Sequence, residues 1–280
     1  MKALTIAATG MAAQDLNVAV IANNIANINT TGYKSSQATF ADSFSNTLRS
    51  SAPSSGTTSS QSGIQVGTGV QLSSIQTNFN QGALNSTGNI TDLGISGKGF
   101  FVVKDAGTGT QFATRDGQFR VDDNGFLITS GGLRVQGKVG GAIADIKIGA
   151  SLPVGTQLQS VSFDPAGHLI ESYSNGTSAT TAQIQLQNFS DTSALLRSGS
   201  NLFTGLGAAG PIGGGILAGS NDPNSNGLGS VQSGTLESSN VDLTDQFSQL
   251  ITTQRSFQAG SRLITVSDTI LDDIVNLKRS

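Results

Sequence analysis

The residues able to do chemistry are few, and their spacing does not suit the reactions they suggest. His168 is the only histidine and cysteine is absent. Thiolate nucleophiles and most transition-metal sites are therefore excluded. His168 directly follows Gly167, at the place Phe126 occupies in a sister segment, and reads as the first side chain of a strand. Gly94-Ile95-Ser96-Gly97-Lys98-Gly99 has the look of a phosphate loop. However, its Gly-to-Lys spacing is wrong, and Phe100 stands where Ser or Thr and then a helix should follow. Asp122-Asp123-Asn124-Gly125 resembles a calcium loop only until the register is set, because the first ligand position falls on Arg120. No Gly-x-Ser-x-Gly elbow occurs. The Asn-x-Ser/Thr matches at Asn29, Asn85, Asn89, Asn175 and Asn188 are what this composition produces by chance. No catalytic, cofactor-binding or metal-ligating residue is assigned, no cofactor is expected, and the chain does not read as an enzyme.

Composition points the same way. The 280 residues include 36 glycines, close to twice the usual share of about 7%. Charged residues make up 12%, against about 25% in ordinary domains. A net charge of −3 without basic runs argues against nucleic acid and anionic membranes as partners. The lack of cysteine suits a chain exported unfolded. The start, Lys2 followed by Ala-Leu-Thr-Ile-Ala-Ala, resembles a secretory leader, but Gly10 and Gln14 interrupt the apolar run. The periodic pattern also continues to Ile28, which a cleaved leader would not need. Membrane insertion is not expected, since no unbroken apolar run of spanning length occurs.

The elements that must position everything else lie at the two ends. Leu4, Met11, Val18 and Ile25 recur every seven residues, with Ile21 and Ile28 on the partner position. Leu243, Leu250, Phe257, Ile264 and Leu271 repeat the spacing near the other end, with Phe247 beside them. A seven-residue apolar repeat is the seam of a supercoiled helix, which a lone helix in water cannot bury. Residues 3–29 read as one helix ending at Thr30-Thr31-Gly32, with Gly32 placed for a left-handed cap. Asn23, Asn24, Asn27 and Asn29 crowd its less apolar face although Asn is a poor helix former. They mark either a solvated face or hydrogen bonding to a neighbouring helix or subunit. A second helix starts at Ser239-Asn240-Val241-Asp242, with Asp242 and Asp245 near its N-terminus and Lys278 and Arg279 at its far end.

Between the ends the period changes to two. Residues 33–45 read as an extended or turn-helix connector, and 46–63 as a flexible low-complexity loop. Strands are expected at Ile64–Val66, Val70–Leu72 and Phe100–Val103. Phe119–Val121 and Phe126–Ile128 flank Asn124-Gly125, a strong hairpin signal. Val161 to Ile170 repeats that layout, so two similar hairpins belong to one β domain. Ile184–Phe189 reads as a further strand. The Gly-rich 205–235 reads as a long loop with at most one short strand, around Ile216-Leu217.

From Ile21 through Asn23-Asn24, Ala26-Asn27 and Thr30-Thr31-Gly32-Tyr33-Lys34, the sequence resembles the N-terminal signature of bacterial flagellar axial proteins, the rod and hook family. Asp92–Val103, Ala113–Gly137 and Leu236–Lys278 agree with the same family. The resemblance implies an α+β fold: a discontinuous coiled-coil domain of paired terminal helices (1–31 with 239–280) that lines a tube, and a mostly antiparallel β domain (76–227) facing outward. Residues 32–75 and 228–238 would connect them. It further implies a structural subunit of the flagellum that polymerises with itself and meets adjacent rod, hook-cap or hook-filament junction proteins. Such a subunit passes unfolded through the flagellar export apparatus without a cleaved signal. Ala38–Phe44 and Ile274–Arg279 resemble hook members, whereas the single small β domain and 47–70 resemble distal rod members. The reading favours the hook, with the distal rod as near alternative. Another class, a secreted β-domain binding protein oligomerised by its helices, is kept beside it.

Overall fold

A computed structural model describes residues 2–51, 62–150, 155–218 and 221–277. The chain divides into two compact units: Met1–Ala26, Ser36–Asn78 and Asp242–Ser280 form one, Asn27–Ser35 with Phe79–Val241 the other. The class is α+β, two long helices and a mainly antiparallel sheet.

In the first unit, α1 (Lys2–Ala26) is followed by strands β1 (Ser36–Asp42), β2 (Ser45–Arg49), β3 (Ile64–Gly67) and β4 (Val70–Thr77), and the unit ends in α2 (Leu243–Leu277). β1 pairs antiparallel with β4, from Ser36 opposite Thr77 to Asp42 opposite Val70. β2 pairs with β3, Ser45 opposite Gly67. The start of α2 follows its capping sequence: the Asp242 carboxylate accepts from the Thr244 amide (2.8 Å), satisfying a donor the first turn leaves open. Lys278 and Arg279 lie outside the described residues.

The structure departs from the sequence expectations here in three places. α1 stops at Ala26, not 29, because residues 27–32 turn into the other unit. Ile28 is therefore on no helical seam. Of the two readings of the connector at 33–45, the extended one holds: it forms the strand β1. The expected loop 46–63 begins in paired strand, its far end leads straight into β3, and the Arg49 guanidinium lies on the Ser62 carbonyl (2.9 Å); residues 52–61 lie outside the described residues. Finally, Leu4–Ala26 is long and apolar enough by length and composition to cross a membrane, although Asn17 and Asn24 on it bond to α2.

The second unit runs β5 (Leu84–Ser86), β6 (Leu93–Ser96), β7 (Phe100–Lys104), β8 (Gln111–Thr114), β9 (Phe119–Val121), β10 (Leu127–Thr129), β11 (Arg134–Val139) and β12 (Ala142–Asp145). It continues with β13 (Leu158–Phe163), β14 (His168–Tyr173), β15 (Ser178–Ile184), β16 (Leu186–Gln187), β17 (Leu196–Arg197), β18 (Leu202–Thr204), β19 (Ser230–Ser233) and β20 (Thr235–Glu237). The main sheet orders β13-β14-β15-β11-β7-β8-β18-β17, and β6–β19 and β5–β20 form separate antiparallel pairs. Phe101, Val103, Leu127, Val135, Leu169 and Ile184 are buried together in its core. Each such side chain is worth roughly 1.5–3 kcal/mol.

The two hairpins foreseen in the sequence share one turn. Asp122 and Asp164 each accept from the amide four residues on, Phe126 and His168, both at 2.7 Å. Gly125 and Gly167 supply the left-handed step at φ 85° and 79°, which only glycine adopts cheaply. Each turn is thus wider than a two-residue Asn-Gly reversal, closed by an Asp side chain. His168 opens β14 and meets the Asp164 carboxylate through Nδ1 (2.9 Å). Elsewhere the strand expected over 184–189 breaks at Gln185. No described strand occupies Ile216-Leu217. Leu217 is buried there with φ 54°, while β19 forms further on.

Candidate assembly interface

The helices of the first unit pair antiparallel along a line of polar and small residues. Asn24 Nδ2 donates to Gln246 Oε1 (3.0 Å). Seven residues back on α1 and seven forward on α2, Asn17 Nδ2 donates to Thr253 Oγ1 (3.2 Å). A further seven on α2 brings Gly260 under Met11, six before Asn17 on α1, where a Cβ would stand 2.9 Å from Met11 Cγ. Asn24, Gln246 and Thr253 are buried. Buried polar groups are tolerated only when bonded, and repeated at heptad spacing they set register.

The apolar seam is only partly used within one chain. Ile21 is buried and Leu4, Met11, Val18 and Ile25 are half-buried, as are Leu250, Ile264 and Leu271. Leu243, Phe247 and Phe257 are exposed within one chain, where the pairing with α1 is made by Gln246, Thr253 and Gly260. Along another face of α2, Leu263, Val266, Ile270, Ile274 and Leu277 follow at spacings of three and four, each at least 53% exposed. Such a stripe is one helical face, and a contiguous apolar face of this kind marks a contact surface.

The signature residues are structural anchors divided between the units. In the first, Asn24 brackets one residue: its Oδ1 accepts from the Ser36 amide (2.9 Å) and its Nδ2 donates to the Ser36 carbonyl (2.7 Å). Asn23 is exposed on α1. In the second unit, Asn27 Oδ1 accepts from the Thr30 hydroxyl (3.1 Å), and the Thr31 hydroxyl donates to Asp116 (3.1 Å). Gly32 stands at φ 67°, where a Cβ would come within 2.6 Å of the Asp116 amide nitrogen, and its own amide donates to the Glu237 carbonyl (2.7 Å). Tyr33 is buried, with the Arg197 guanidinium over its ring at 4.6 Å.

Lys34 enters a fully buried ion cluster. Its Nζ donates to Glu237 Oε1 (2.6 Å) and to the Asn80 carbonyl (2.8 Å). Arg115 reaches the other oxygen of Glu237 (3.1 Å) and the Gly97 carbonyl (2.8 Å). The Gly82 amide also donates to Glu237 Oε1 (2.9 Å). Burial pushes the Lys34 ammonium below its usual range; Glu237 works against that shift and the Arg115 charge adds to it. Burial lowers the Arg115 guanidinium likewise, against the pull of Glu237. Motif reading named Lys34 but not its partners. The available signal was scarcity: Glu171 and Glu237 are the only glutamates in the sequence, and both are buried. Glu171 accepts from the Gly149 amide (2.7 Å) and the Tyr173 hydroxyl (2.9 Å). Among the described residues no three His, Cys, Asp or Glu side chains gather as metal ligands.

Family models match three stretches: Flagella basal body rod protein over 4–34, Flagellar hook protein FlgE/F/G D1 domain over 94–170, and Flagellar basal body rod FlgEFG protein C-terminal over 232–277. The flagellar basal-body rod protein FlgG of Bacillus subtilis is 36% identical, covering 97% of each chain. That of Borreliella burgdorferi is also 36% identical, over 100% of this chain and 99% of its own. The chain belongs to the flagellar rod and hook family. The flagellar hook protein FlgE of Helicobacter mustelae shares 43% identity over 49% of this chain and 30% of its own. As a family member the chain is a structural protein of the flagellar axis. The matched stretches hold α1 with Lys34, much of the main sheet with Arg115, and Glu237 with α2. Every member of the buried ion cluster thus falls in a matched stretch, as does the exposed stripe of α2.

Proposed function

We propose that the chain is a rod-type subunit that polymerises with copies of itself into the shaft of the flagellar axis and meets neighbouring axial proteins at its ends. The observation that carries this reading is the uncovered stripe from Leu263 to Leu277, since burying each such side chain is worth roughly 1.5–3 kcal/mol and no element among the described residues covers it. The rod is favoured over the hook because the two FlgG relatives align along their whole length and the hook relative along half of this chain. Pairing of β2 with β3 also gives the 46–63 region a stiff base. Phe44 and Leu48, 85% and 62% exposed, offer that base a contact with a neighbour. We further propose that the subunit uses the flagellar export apparatus and keeps α1 afterwards, because Asn17 and Asn24 complete the pairing with α2.

Electron microscopy of the purified chain at rising concentration tests the proposal. Straight, unbending tubes are expected, while supple curved tubes favour the hook, and a small closed oligomer favours a binding module held together by its helices. Ile270→Asp should abolish tube growth without changing circular dichroism, because Ile270 is 53% exposed. Tubes formed by that variant would sink the interface reading.

A further inference from the structure

The segment Thr31–Lys34 lies in the second unit as a ligand lies in a binding site. Its main chain is held at both ends and in the middle: Asn201 Nδ2 donates to the Thr31 carbonyl (2.7 Å), Glu237 accepts from the Gly32 amide, and Arg197 donates to the Lys34 carbonyl. Its side chains enter separate places. Thr31 meets Asp116, Tyr33 lies under Arg197, and Lys34 reaches Glu237. Main-chain hydrogen bonds combined with side-chain sockets are the form peptide recognition takes.

Two observations make this segment separable. First, residues 27–35 supply no strand to the unit, whose remainder, Phe79–Val241, is continuous in sequence. Withdrawing the segment therefore breaks no ladder. Second, the charges balance better without it. With Lys34 in place, one carboxylate faces two cations; without it, Glu237 keeps Arg115 and the Gly82 amide, and Arg115 keeps the Gly97 carbonyl. A buried pair that stays neutral and bonded does not force collapse. The loop gripping the segment is itself held in an uncommon shape: Gly199, Ser200 and Asn201 are all left-handed, at φ 85°, 49° and 56°. Strain of this kind collects where a surface is shaped in advance for something else.

We propose that this unit carries a preformed recognition site for the Thr31–Lys34 segment, and that the site takes the segment from a second copy of the chain as well as from its own. The segment is joined at 26/27 and at 35/36 to the other unit, so an exchange would tie two copies together by threaded polypeptide rather than by surface contact.

The absence of cysteine gives a clean test on the full-length chain. A Thr31→Cys/Asp116→Cys chain, treated with a short bifunctional thiol reagent, should cross-link within itself. In an equimolar mixture of the Thr31→Cys chain and the Asp116→Cys chain, exchange should yield a cross-linked pair. Adding Lys34→Met to the Thr31→Cys chain should reduce that product about tenfold or more, since its segment then lacks a charge-assisted bond. Placing Lys34→Met on the Asp116→Cys chain should raise it instead, by loosening the resident segment. An internal cross-link without any intermolecular product would overturn the proposal. So would a product indifferent to which chain carries Lys34→Met, which would report crowding alone. Absence of product in the unsubstituted mixture overturns the proposal even where a Lys34 variant fails to fold.

Discussion

Replacing Glu237 by Gln removes the anion that faces two buried cations, Lys34 at 2.6 Å and Arg115 at 3.1 Å. All three side chains are excluded from water, so the cations left behind cannot be hydrated in place. Breaking a buried ion pair in this way costs about 3–5 kcal/mol. Lys34→Met is gentler. It forfeits a charge-assisted hydrogen bond, about 1.5–3 kcal/mol, but recovers the desolvation that lowers the Lys34 pKa and leaves Glu237 paired with Arg115. The Asn80 carbonyl keeps a donor in Asn240 Nδ2 (3.0 Å). The double variant should be no less stable than Glu237→Gln alone, because removing Lys34 also removes a stranded cation. Urea unfolding of the unassembled chain measures this. With a slope of about 1–3 kcal/mol per molar urea, Glu237→Gln should unfold at a midpoint lower than Lys34→Met by roughly 0.5 M or more. The double-variant cycle should show strong coupling. Equal effects of the two single changes, or simple additivity, would refute the assignment of Glu237 as the shared anion.

Two further outcomes follow from the same residues. Gly32→Ala places a Cβ within 2.6 Å of the Asp116 amide nitrogen at a φ of 67°. The left-handed conformation alone costs about 1–2 kcal/mol, so a loss above that, read by thermal unfolding, is expected; an unchanged melting temperature would contradict the close approach. Burial raises the Asp116 carboxyl above its ordinary range, opposed by the Gln118 amide and the Thr31 hydroxyl and reinforced by the Asp92 charge. A folded pKa above the unfolded one means that folding favours the protonated acid. The Asp116 contribution should therefore stabilise the fold as pH falls through the raised value toward the unfolded one, and the gain is complete below the latter. Asp116→Asn, which keeps an acceptor oxygen, should remove this dependence and be neutral or stabilising at pH 7. A variant whose stability tracks the wild type across the acid range would refute it.

Local rules set much of the outcome. The heptads of Leu4 to Ile25 and Leu250 to Leu271, and the Asp242 cap, located both helices because helix formation depends on neighbours three and four residues apart. The turns at Asp122–Gly125 and Asp164–Gly167 were readable for the same reason: each closes on its own backbone. The resemblance around Asn23 to Lys34 is carried by a short contiguous signature, and so points to the family from sequence alone. What failed was any feature with partners distant in sequence. The apolar repeat marks Leu243 and Phe257 as seam residues without saying which face meets α1; the register that hides Gln246 and Thr253 depends on Asn24 and Asn17, more than two hundred residues away. The sequence leaves 33–45 open between extended chain and turn-helix, and pairing with Val70–Thr77 is what makes Ser36–Asp42 a strand. The turn at Asn27 looked like more helix because Ile28 kept the period. Its reversal is decided by Glu237 and Asp116, which capture Gly32, Thr31 and Lys34. The sequence alone determined two helices, a β region and the flagellar axial family, because periodicity and signature are local. Only the tertiary structure decided which face of each helix is used, and that Lys34, Glu237 and Arg115 share one buried site. Burial and long-range charge pairing are properties of the folded chain, and no spacing along the sequence encodes them.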